Sequence, residues 1–355
     1  MSFSRVLFLG LGGAGQRHLR VLHEMLPPET QYGAFRHTGQ TPLLNADFSV
    51  DDARSLESRF RLAQFGSLDE AFFWKPDLTV ISTPTARHID GLQRAAEIGS
   101  SILVEKPWSD SLTAFEAFAR TIINRKLSFQ ISFQRRFHPH LANIRSLLQT
   151  GAIGKPITGT IEVYSNVPSW HAYEDWRQLY AVRADQGGGV LLTEIHEIDF
   201  VTWVFGLPDA VYCVGGNRGP VALDVEDTAQ MCLVYPAFSL SLTLCFMHGA
   251  PRRTLRVLGT EGELSWNDRD NCLCLTRLGA TETFRDSLMS NDGLFRAQAR
   301  EFLFDWSRDK TFQALWASAA TLSVVRAAKR SMRSALPELV RRDEVVALEA
   351  LRHLG

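Results

Sequence analysis

The chain has 355 residues, 45% of them apolar and 22% charged, with a formal net charge of −1. That length exceeds what one hydrophobic core usually serves and predicts two domains. The balanced charge excludes the electrostatic footprint of a nucleic-acid or anionic-membrane binder, and no apolar run reaches the ~18 residues of a membrane span.

Val6-Leu7-Phe8-Leu9 is a short apolar run that fits a strand buried on both faces. Gly10-Leu11-Gly12-Gly13-Ala14-Gly15 follows at once. Arg17 to Leu26 then carries helical apolar spacing, ended by Pro27-Pro28. Strand, glycine turn and helix together are the context of a pyrophosphate-binding loop. Gly10 permits the tight turn, Gly12 lets the backbone approach the pyrophosphate, and Gly15 lets the helix pack closely on the strand. The helix start at Gly13 and Ala14 offers free N–H donors and a partial positive charge.

A second strand is expected over Gln31 to Arg36. The residue that ends it selects the cofactor. An acidic residue about 20 positions past the glycines bonds the ribose 2′-OH of NAD. Here that place falls on Arg36, followed by His37 and Thr38. A guanidinium pairs with a 2′-phosphate, so NADP(H) is favoured over NAD(H). Residues 39–65 show only a short helix around Asp51 to Phe60.

Ser67-Leu68-Asp69-Glu70 reads as a capping box opening a helix. Strands follow over Asp77 to Ser82, Ser101 to Glu105 and Leu127 to Ser132. Helices lie between them, from about Ala86 to Gly99 and over Leu112 to Asn124. Alternating strands and helices imply an α/β fold with a doubly wound parallel sheet over residues 1–135. Thr83, Pro84 and Thr85 lie at the carboxyl end of a strand, where such sheets bind ligands, and can line the cofactor. His88 reads as a helix-start residue. Glu105-Lys106-Pro107 puts an ammonium at that same edge, where it can bond a reacting hydroxyl or carbonyl. Pro107 fixes the turn, with a cis bond as an option. A surface lysine at a strand exit is the rival reading of this motif alone.

After residue 135 the pattern changes. A helix at His140 to Gln149 precedes strands over Ile157 to Asn166, Thr228 to Tyr235, Ser239 to Met247, Thr254 to Leu258 and Cys272 to Leu278. These predict an α+β second domain, residues 136–333, with a large, mostly antiparallel open sheet. Phe295 to Arg333 is expected to be helical, and 334–355 is left as a tail without a role. Gly187-Gly188-Gly189 leads into a helix on which Thr193, His196 and Asp199 share a face. His196 there can act as general acid/base near neutral pH, with Asp199 orienting it. A satisfied core histidine is the alternative. The five cysteines (Cys213, Cys232, Cys245, Cys272 and Cys274) form no C-x-x-C pair and read as mostly buried, reduced thiols. No metal site is expected. With strand-like residues from Arg5, no signal peptide is expected, and a cytoplasmic protein is anticipated.

The glycine loop, Ser82-Thr83-Pro84-Thr85, Glu105-Lys106-Pro107, the triple glycine with His196-x-x-Asp199, and Arg256-Val257-Leu258-Gly259-Thr260-Glu261-Gly262 occur in order. In this the chain resembles the glucose-fructose oxidoreductase / inositol dehydrogenase / rhizopine catabolism (Gfo/Idh/MocA) family, from Arg5 to about Ser331. The resemblance implies a Rossmann domain and a second domain whose open sheet often mediates homodimers or homotetramers. It implies that Lys106 and His196 are catalytic, facing the nicotinamide and the substrate carbinol, and that Glu105 touches the nicotinamide ribose. Gln134 and Arg135 match a segment that borders the nicotinamide. Many members carry an Asp one turn before the histidine. Thr193 holds that place here, with Glu194 beside it, so Lys106 and His196 suffice, Glu194 substitutes, or the chemistry is impaired.

Trp170-His171-Ala172-Tyr173-Glu174-Asp175-Trp176-Arg177 is similar to a subset found with bacterial surface-polysaccharide and sialic-acid-like sugar pathways. Aromatic faces with polar tips suit sugars. Trp170, His171, Tyr173 and Arg177, with Thr193 and Asp199, are therefore candidates for substrate binding, and an aromatic loop packing the domain interface is the competing reading. The expected activity is hydride transfer between nicotinamide and a carbohydrate or nucleotide-sugar alcohol or ketone. A non-catalytic sensor or scaffold, and a nicotinamide-assisted glycosidase or lyase, stand as alternatives.

Overall fold

A computed structural model describes residues 3–37, 41–285 and 290–352; Thr38 of the expected cofactor-selecting segment lies outside them. The first strand, β1 (Arg5–Leu9), is apolar because both its faces are covered. It turns at Gly10 into α1 (Gly13–Met25) and returns as β2 (Gln31–Phe35), one residue shorter than expected. The stretch that had no pattern holds a two-stranded hairpin, β3 (Leu43–Leu44) and β4 (Val50–Asp51), then α2 (Leu56–Phe60) and β5 (Ala63–Phe65). Ser55 caps α2 through the Ser58 N–H, so this helix starts five residues later than expected. Next come α3 (Leu68–Phe73), β6 (Leu78–Ile81), α4 (His88–Ile98), β7 (Ser101–Val104), α5 (Phe115–Asn124) and β8 (Phe129–Ile131). Ser67 accepts the Glu70 N–H at 3.1 Å, and the Glu70 carboxylate reaches back to the Gly66 N–H at 2.8 Å, a capping box shifted by one residue on its return bond. All six main strands run parallel in the order β5-β2-β1-β6-β7-β8. The switch in order at β1 opens the crevice at the carboxyl ends of β1, β6 and β7.

After α6 (Pro139–Gln149) and β9 (Pro156–Asn166), the triple glycine leads into two helices rather than one: α7 (Val190–Thr193) and α8 (Ile195–Phe205), broken at Glu194. The large sheet then adds β10 (Ala210–Gly216), β11 (Thr228–Val234), β12 (Ser239–Cys245), β13 (Met247–Gly259), β14 (Glu263–Asn267), β15 (Cys272–Arg277) and β16 (Ala280–Arg285). Its nine strands are antiparallel apart from β12 against β9. The expected helical stretch is two helices, α9 (Asn291–Phe304) and α10 (Arg308–Ser334), the second capped by Ser307.

Two outcomes redraw the expected boundaries. Residues 335–352, expected as a tail without a role, are structured: β17 (Glu338–Leu339) pairs with β10 at the sheet edge, and α11 (Asp343–Arg352) packs on α5 and α10. The α9 helix joins the first domain's core, where Phe295, Ala299, Phe302 and Leu303 pack with Val6, Phe8 and Leu19. Of the five free thiols, Cys213 is buried and the others are half-buried, because their strands show one face outward. Among the described residues, no helix is long and apolar enough to cross a membrane.

Candidate active site

The glycine loop has the fit of a dinucleotide cradle. Gly10 has φ +87, and a Cβ there would meet the Ser82 carbonyl oxygen at 2.8 Å. A Cβ at Gly15 would lie 2.5 Å from the Ser82 hydroxyl and 2.6 Å from the Gly10 oxygen. At Gly12 nothing lies within 4 Å, so the one glycine that faces open space is the one a pyrophosphate would approach. The Ser82 hydroxyl donates to the Gly10 carbonyl at 2.9 Å, tying the end of β6 to the loop.

Arg36 follows β2 as expected, but it is not free. Its guanidinium donates to Glu57 at 2.5 Å and to Thr41 at 3.3 Å. Glu57 sits on α2, within the short helix expected there, but carried no signal as a partner for Arg36.

Three neighbouring strands deliver polar groups to the same sheet edge. After β6, the Thr83 hydroxyl is buried with no partner. His88 fastens this turn to the next: Nε2 faces the Thr83 carbonyl at 2.8 Å and Nδ1 faces the Pro107 carbonyl at 2.9 Å. A neutral imidazole donates to only one of them. Burial, the largest influence, keeps the His88 pKa below its ordinary value despite both carbonyls. His88 is thus a brace between two site turns, more than a helix start. After β7, the Lys106-Pro107 bond is cis. The Lys106 ammonium donates to the Thr193 carbonyl at 2.6 Å, joining the strand end to α7. After β8, Gln134 keeps a buried side-chain oxygen without a partner. Buried polar atoms are seldom left unpaired, and these orphans fit a polar ligand such as an amide or sugar hydroxyl.

Glu105 is anchored from behind. His18 of α1 meets its carboxylate at 2.8 Å, and Ser132 lies beside His18 at 3.5 Å. Burial opposes the charge on Glu105, but the His18 bond and the His18 and Lys106 charges outweigh it and hold the carboxyl below its ordinary pKa. The carboxylate is therefore an ionised base plate under the Lys106 turn.

His196 opens α8. Its ring is nearly buried, and Nδ1 has no hydrogen-bond partner. Burial first, then the charges of Lys106, Arg135 and Arg253, hold its pKa well below the ordinary imidazole value. It is a neutral imidazole at neutral pH. The expectation that Asp199 orients it is not met. Arg136 takes both Asp199 oxygens, Nε to Oδ2 at 2.8 Å and Nη2 to Oδ1 at 2.5 Å. Burial still lifts the Asp199 carboxyl above its ordinary pKa, with Arg136 opposing. With 1% of its surface exposed, Asp199 supports the helix and does not face a substrate.

The expected single face through Thr193, His196 and Asp199 is interrupted by the break at Glu194. Thr193 contributes its carbonyl to Lys106, while its hydroxyl is buried and unpartnered. Glu194 is not a free substitute acid. Ser165 donates to it at 2.6 Å and Arg253 at 2.7 Å. Burial disfavours its charge, yet Arg253, Ser165 and Lys106 together hold its pKa below the ordinary value.

Arg253, on β13, carried no sequence signal and organises this wall. Its Nε also donates to Glu197 at 2.8 Å. Arg135 lies alongside with no carboxylate in ion-pair distance among the described residues. Burial and repulsion from Arg253 push its pKa down to about 10, against the pull of Glu197 and Glu194. Arg135, Arg253 and His196 share a cavity of about 20 Å³, room for a water and not for a sugar.

The aromatic segment splits. Trp170 and Trp176 pack against the core. Arg177 is exposed, lies 4.7 Å over the Trp176 ring and pairs with Asp175 at 3.4 Å, so it clamps nothing in the site. His171 and Tyr173 lie over the glycine loop with Phe48, on the cofactor side of the crevice.

A Rossmann sheet with a dinucleotide cradle, joined to an α/β domain that carries a histidine to the strand ends, defines a nicotinamide-dependent oxidoreductase fold. Residues 4–133 match the oxidoreductase family with NAD-binding Rossmann fold, and residues 141–265 match the GFO/IDH/MocA C-terminal domain. The chain belongs to the Gfo/Idh/MocA oxidoreductase family. It is 27% identical to trans-1,2-dihydrobenzene-1,2-diol dehydrogenase of Bos taurus over 202 residues, 56% of this chain and 57% of that protein. Over 81 residues, 23% of this chain and 24% of the relative, it is 40% identical to scyllo-inositol 2-dehydrogenase (NAD(+)) of Bacillus subtilis. These matches cover about half of the first relative's length and a quarter of the second's. A levoglucosan dehydrogenase in complex with NADH and L-sorbose shares the fold, with TM-score 0.77 and 17% identity over 96% of this chain and all of that one.

Proposed function

We propose that this chain is a nicotinamide-dependent dehydrogenase or reductase acting on a hydroxyl or carbonyl of a carbohydrate or nucleotide sugar. The observation that carries the proposal is the 2.6 Å bond from Lys106 to the Thr193 carbonyl. It draws a strand-end ammonium to the turn before a neutral, buried histidine. The names of the relatives, acting on inositols and a dihydrodiol, support a cyclic polyol-like substrate. The nicotinamide, when bound, supplies or accepts the hydride.

This chain's residues supply the proton chemistry. In oxidation, neutral His196 accepts the proton of the substrate hydroxyl. Lys106 donates a hydrogen bond to the same oxygen and stabilises the charge that develops as the proton leaves. Thr193 fixes the direction of the ammonium through its carbonyl. Glu105 holds the Lys106 turn. Gln134 and Thr83 offer unpaired atoms to the ligand side of the crevice, and the unpaired Arg135 guanidinium offers donors to substrate oxygens. The arrangement needs no acid at position 193, because Glu194 is neutralised by Arg253 and Lys106 is already positioned. The retained pair argues against a non-catalytic scaffold.

NADP(H) is preferred in this reading, with Arg36 meeting the 2′-phosphate and Glu57 restraining it until then. The exposed Tyr212, Val214 and Val234 on β10 and β11 support contact between copies through the open sheet face, as a homodimer or homotetramer. Five free thiols support a cytoplasmic setting. The test is titration of the purified protein with NADPH and NADH, followed by a screen of sugars and polyols for nicotinamide absorbance change. No binding of either dinucleotide refutes the proposal. Binding without turnover on any such substrate restores the sensor reading.

A further inference from the structure

Two arms from distant parts of the chain meet over the N-terminus of α1. One is the β3–β4 hairpin, whose tip residue Phe48 has φ +66. Its ring lies 2.9 Å from where a Gly13 Cβ would be. Arg17 braces the ring from behind at 4.4 Å and donates to the Ala46 carbonyl at 3.2 Å. The other arm is the loop of the second domain that carries His171 and Tyr173. These two rings stack at 5.1 Å, and His171 meets Phe48 edge-on at 5.3 Å.

The contact that matters is polar. The Tyr173 hydroxyl oxygen lies against Gly13, 3.3 Å from where a Cβ of that residue would be. Gly13 is the first residue of α1, so its N–H is one of the free donors that a phosphate would take. The phenol oxygen therefore stands beside the place a pyrophosphate oxygen would take. The hydroxyl also faces the His171–Glu174 pair: it lies 3.4 Å from His171 Nδ1, which meets the Glu174 carboxylate at 2.6 Å. Phenylalanine would serve the ring packing equally well. The hydroxyl is what the packing leaves unexplained.

We propose that Tyr173, braced by His171 and Phe48, is a positioning residue for the dinucleotide: its hydroxyl, held beside the start of α1, donates its proton to the phosphate oxygen that the Gly13 N–H would also bind. A hydroxyl both accepts and donates, whereas a phosphate oxygen only accepts. The bond from the hydroxyl to a phosphate is charge-assisted, the stronger kind. It also ties the second domain to the cofactor, so the cofactor leaves only after the two arms part. The inference rests on the dinucleotide reading above, and it makes the clasp set the rate of cofactor release.

The test is a stopped-flow chase of bound NADPH and NADH from the full chain, followed by nicotinamide fluorescence with no sugar present. Tyr173→Phe keeps the ring stack and removes only the hydroxyl. Its release rate is expected to rise about tenfold or more, the worth of one hydrogen bond to a charged group, with little change in the association rate. Phe48→Leu, which loosens the other arm, should also speed release. An unchanged release rate with faster association in Tyr173→Phe means that the hydroxyl only obstructs the site, and overturns the clasp while leaving the dinucleotide reading intact. A wild-type protein that binds neither cofactor overturns both.

Discussion

Replacing Lys106 by methionine tests the proposed chemistry most directly. The side chain keeps an unbranched apolar stem of nearly the same length and loses the ammonium. Two effects follow from the structure. The substrate oxygen loses its cationic donor, which for a positioned acid–base group costs about 10²- to 10⁴-fold in rate, or about 3–5 kcal/mol at 1.36 kcal/mol per tenfold. His196 also changes, because Lys106 is the strongest of the three charges that hold its pKa down. The acid limb of the pH–rate profile, where His196 gains its proton and ceases to be a base, lies well below the ordinary imidazole value of about 6.5 in the wild type. In Lys106→Met that limb moves up in pH, since burial, Arg135 and Arg253 still oppose the proton but Lys106 no longer does. Single-turnover hydride transfer measured from about pH 5 to 9 reads both effects, and dinucleotide titration shows that the cofactor site is intact. Turnover within about twofold of wild type would refute the assignment, since a surface lysine at a strand exit contributes nothing on the scale of an acid–base group. A slow variant with an unmoved acid limb would show that His196 is not the titrating base.

Other perturbations separate the supporting parts. Arg253→Met leaves Glu194 and Glu197 buried without their cation, and should cost about 3–5 kcal/mol in urea unfolding at neutral pH. Burial then raises the carboxyl pKa in the folded state above the unfolded value of about 4.3, so the deficit should shrink as pH falls towards that value; a deficit independent of pH contradicts the charge argument. Glu57→Gln frees the Arg36 guanidinium and should raise the NADPH over NADH affinity ratio about tenfold, whereas Arg36→Ala should erase the preference. Equal ratios in all three proteins would assign the cofactor choice elsewhere. Gly12→Ala, which meets nothing within 4 Å, should fold like the wild type and lose dinucleotide binding. Gly15→Ala drives its methyl into Ser82 and Gly10, so thermal unfolding should show a lower midpoint; a stable Gly15→Ala protein would mean that the loop relaxes more than the contacts allow.

The Rossmann half was legible because its signals are local. Its strands apart from β5 are short apolar runs, its longer helices have a period, and the glycine loop lies within one turn, whereas β5 (Ala-Gln-Phe) is short and largely exposed and went unread. The Glu105-Lys106-Pro107 turn and the His196 helix were legible as motifs. Their supports were not, because each support is a pairing across the chain. Arg253 meets Glu194 and Glu197 from a strand more than fifty residues on. His18 looks like one more position on an amphipathic helix until β7 places Glu105 against it. Asp199 sits three residues from His196 and invites a dyad, and only the fold shows Arg136 already holding both its oxygens. The helix break at Glu194 was equally hidden, since the sequence around it keeps helical spacing. Strands such as β10 and β14 went unseen among polar and glycine residues, and β17 exists only because β10 offers it an edge.

The diversion of Asp199 explains why a threonine at 193 is compatible with a working site. A carboxylate hydrogen-bonded to His196 would raise its proton affinity, and a carboxylate at 193 would add to that while neutralising Lys106. This chain has neither. Each nearby carboxylate is held by its own cation or hydroxyl: Asp199 by Arg136, Glu197 by Arg253, and Glu194 by Arg253 and Ser165. What reaches the imidazole is therefore positive charge and burial, and both favour the neutral ring. A neutral histidine with a low proton affinity is a weak base for an isolated alcohol, but it does not act on one. In the proposed mechanism the same cations that lower its affinity also stabilise the oxygen it would deprotonate, so the loss on the base is offset on the substrate. The proposed chemistry is thus carried by the charge of Lys106 and its neighbours more than by the basicity of His196.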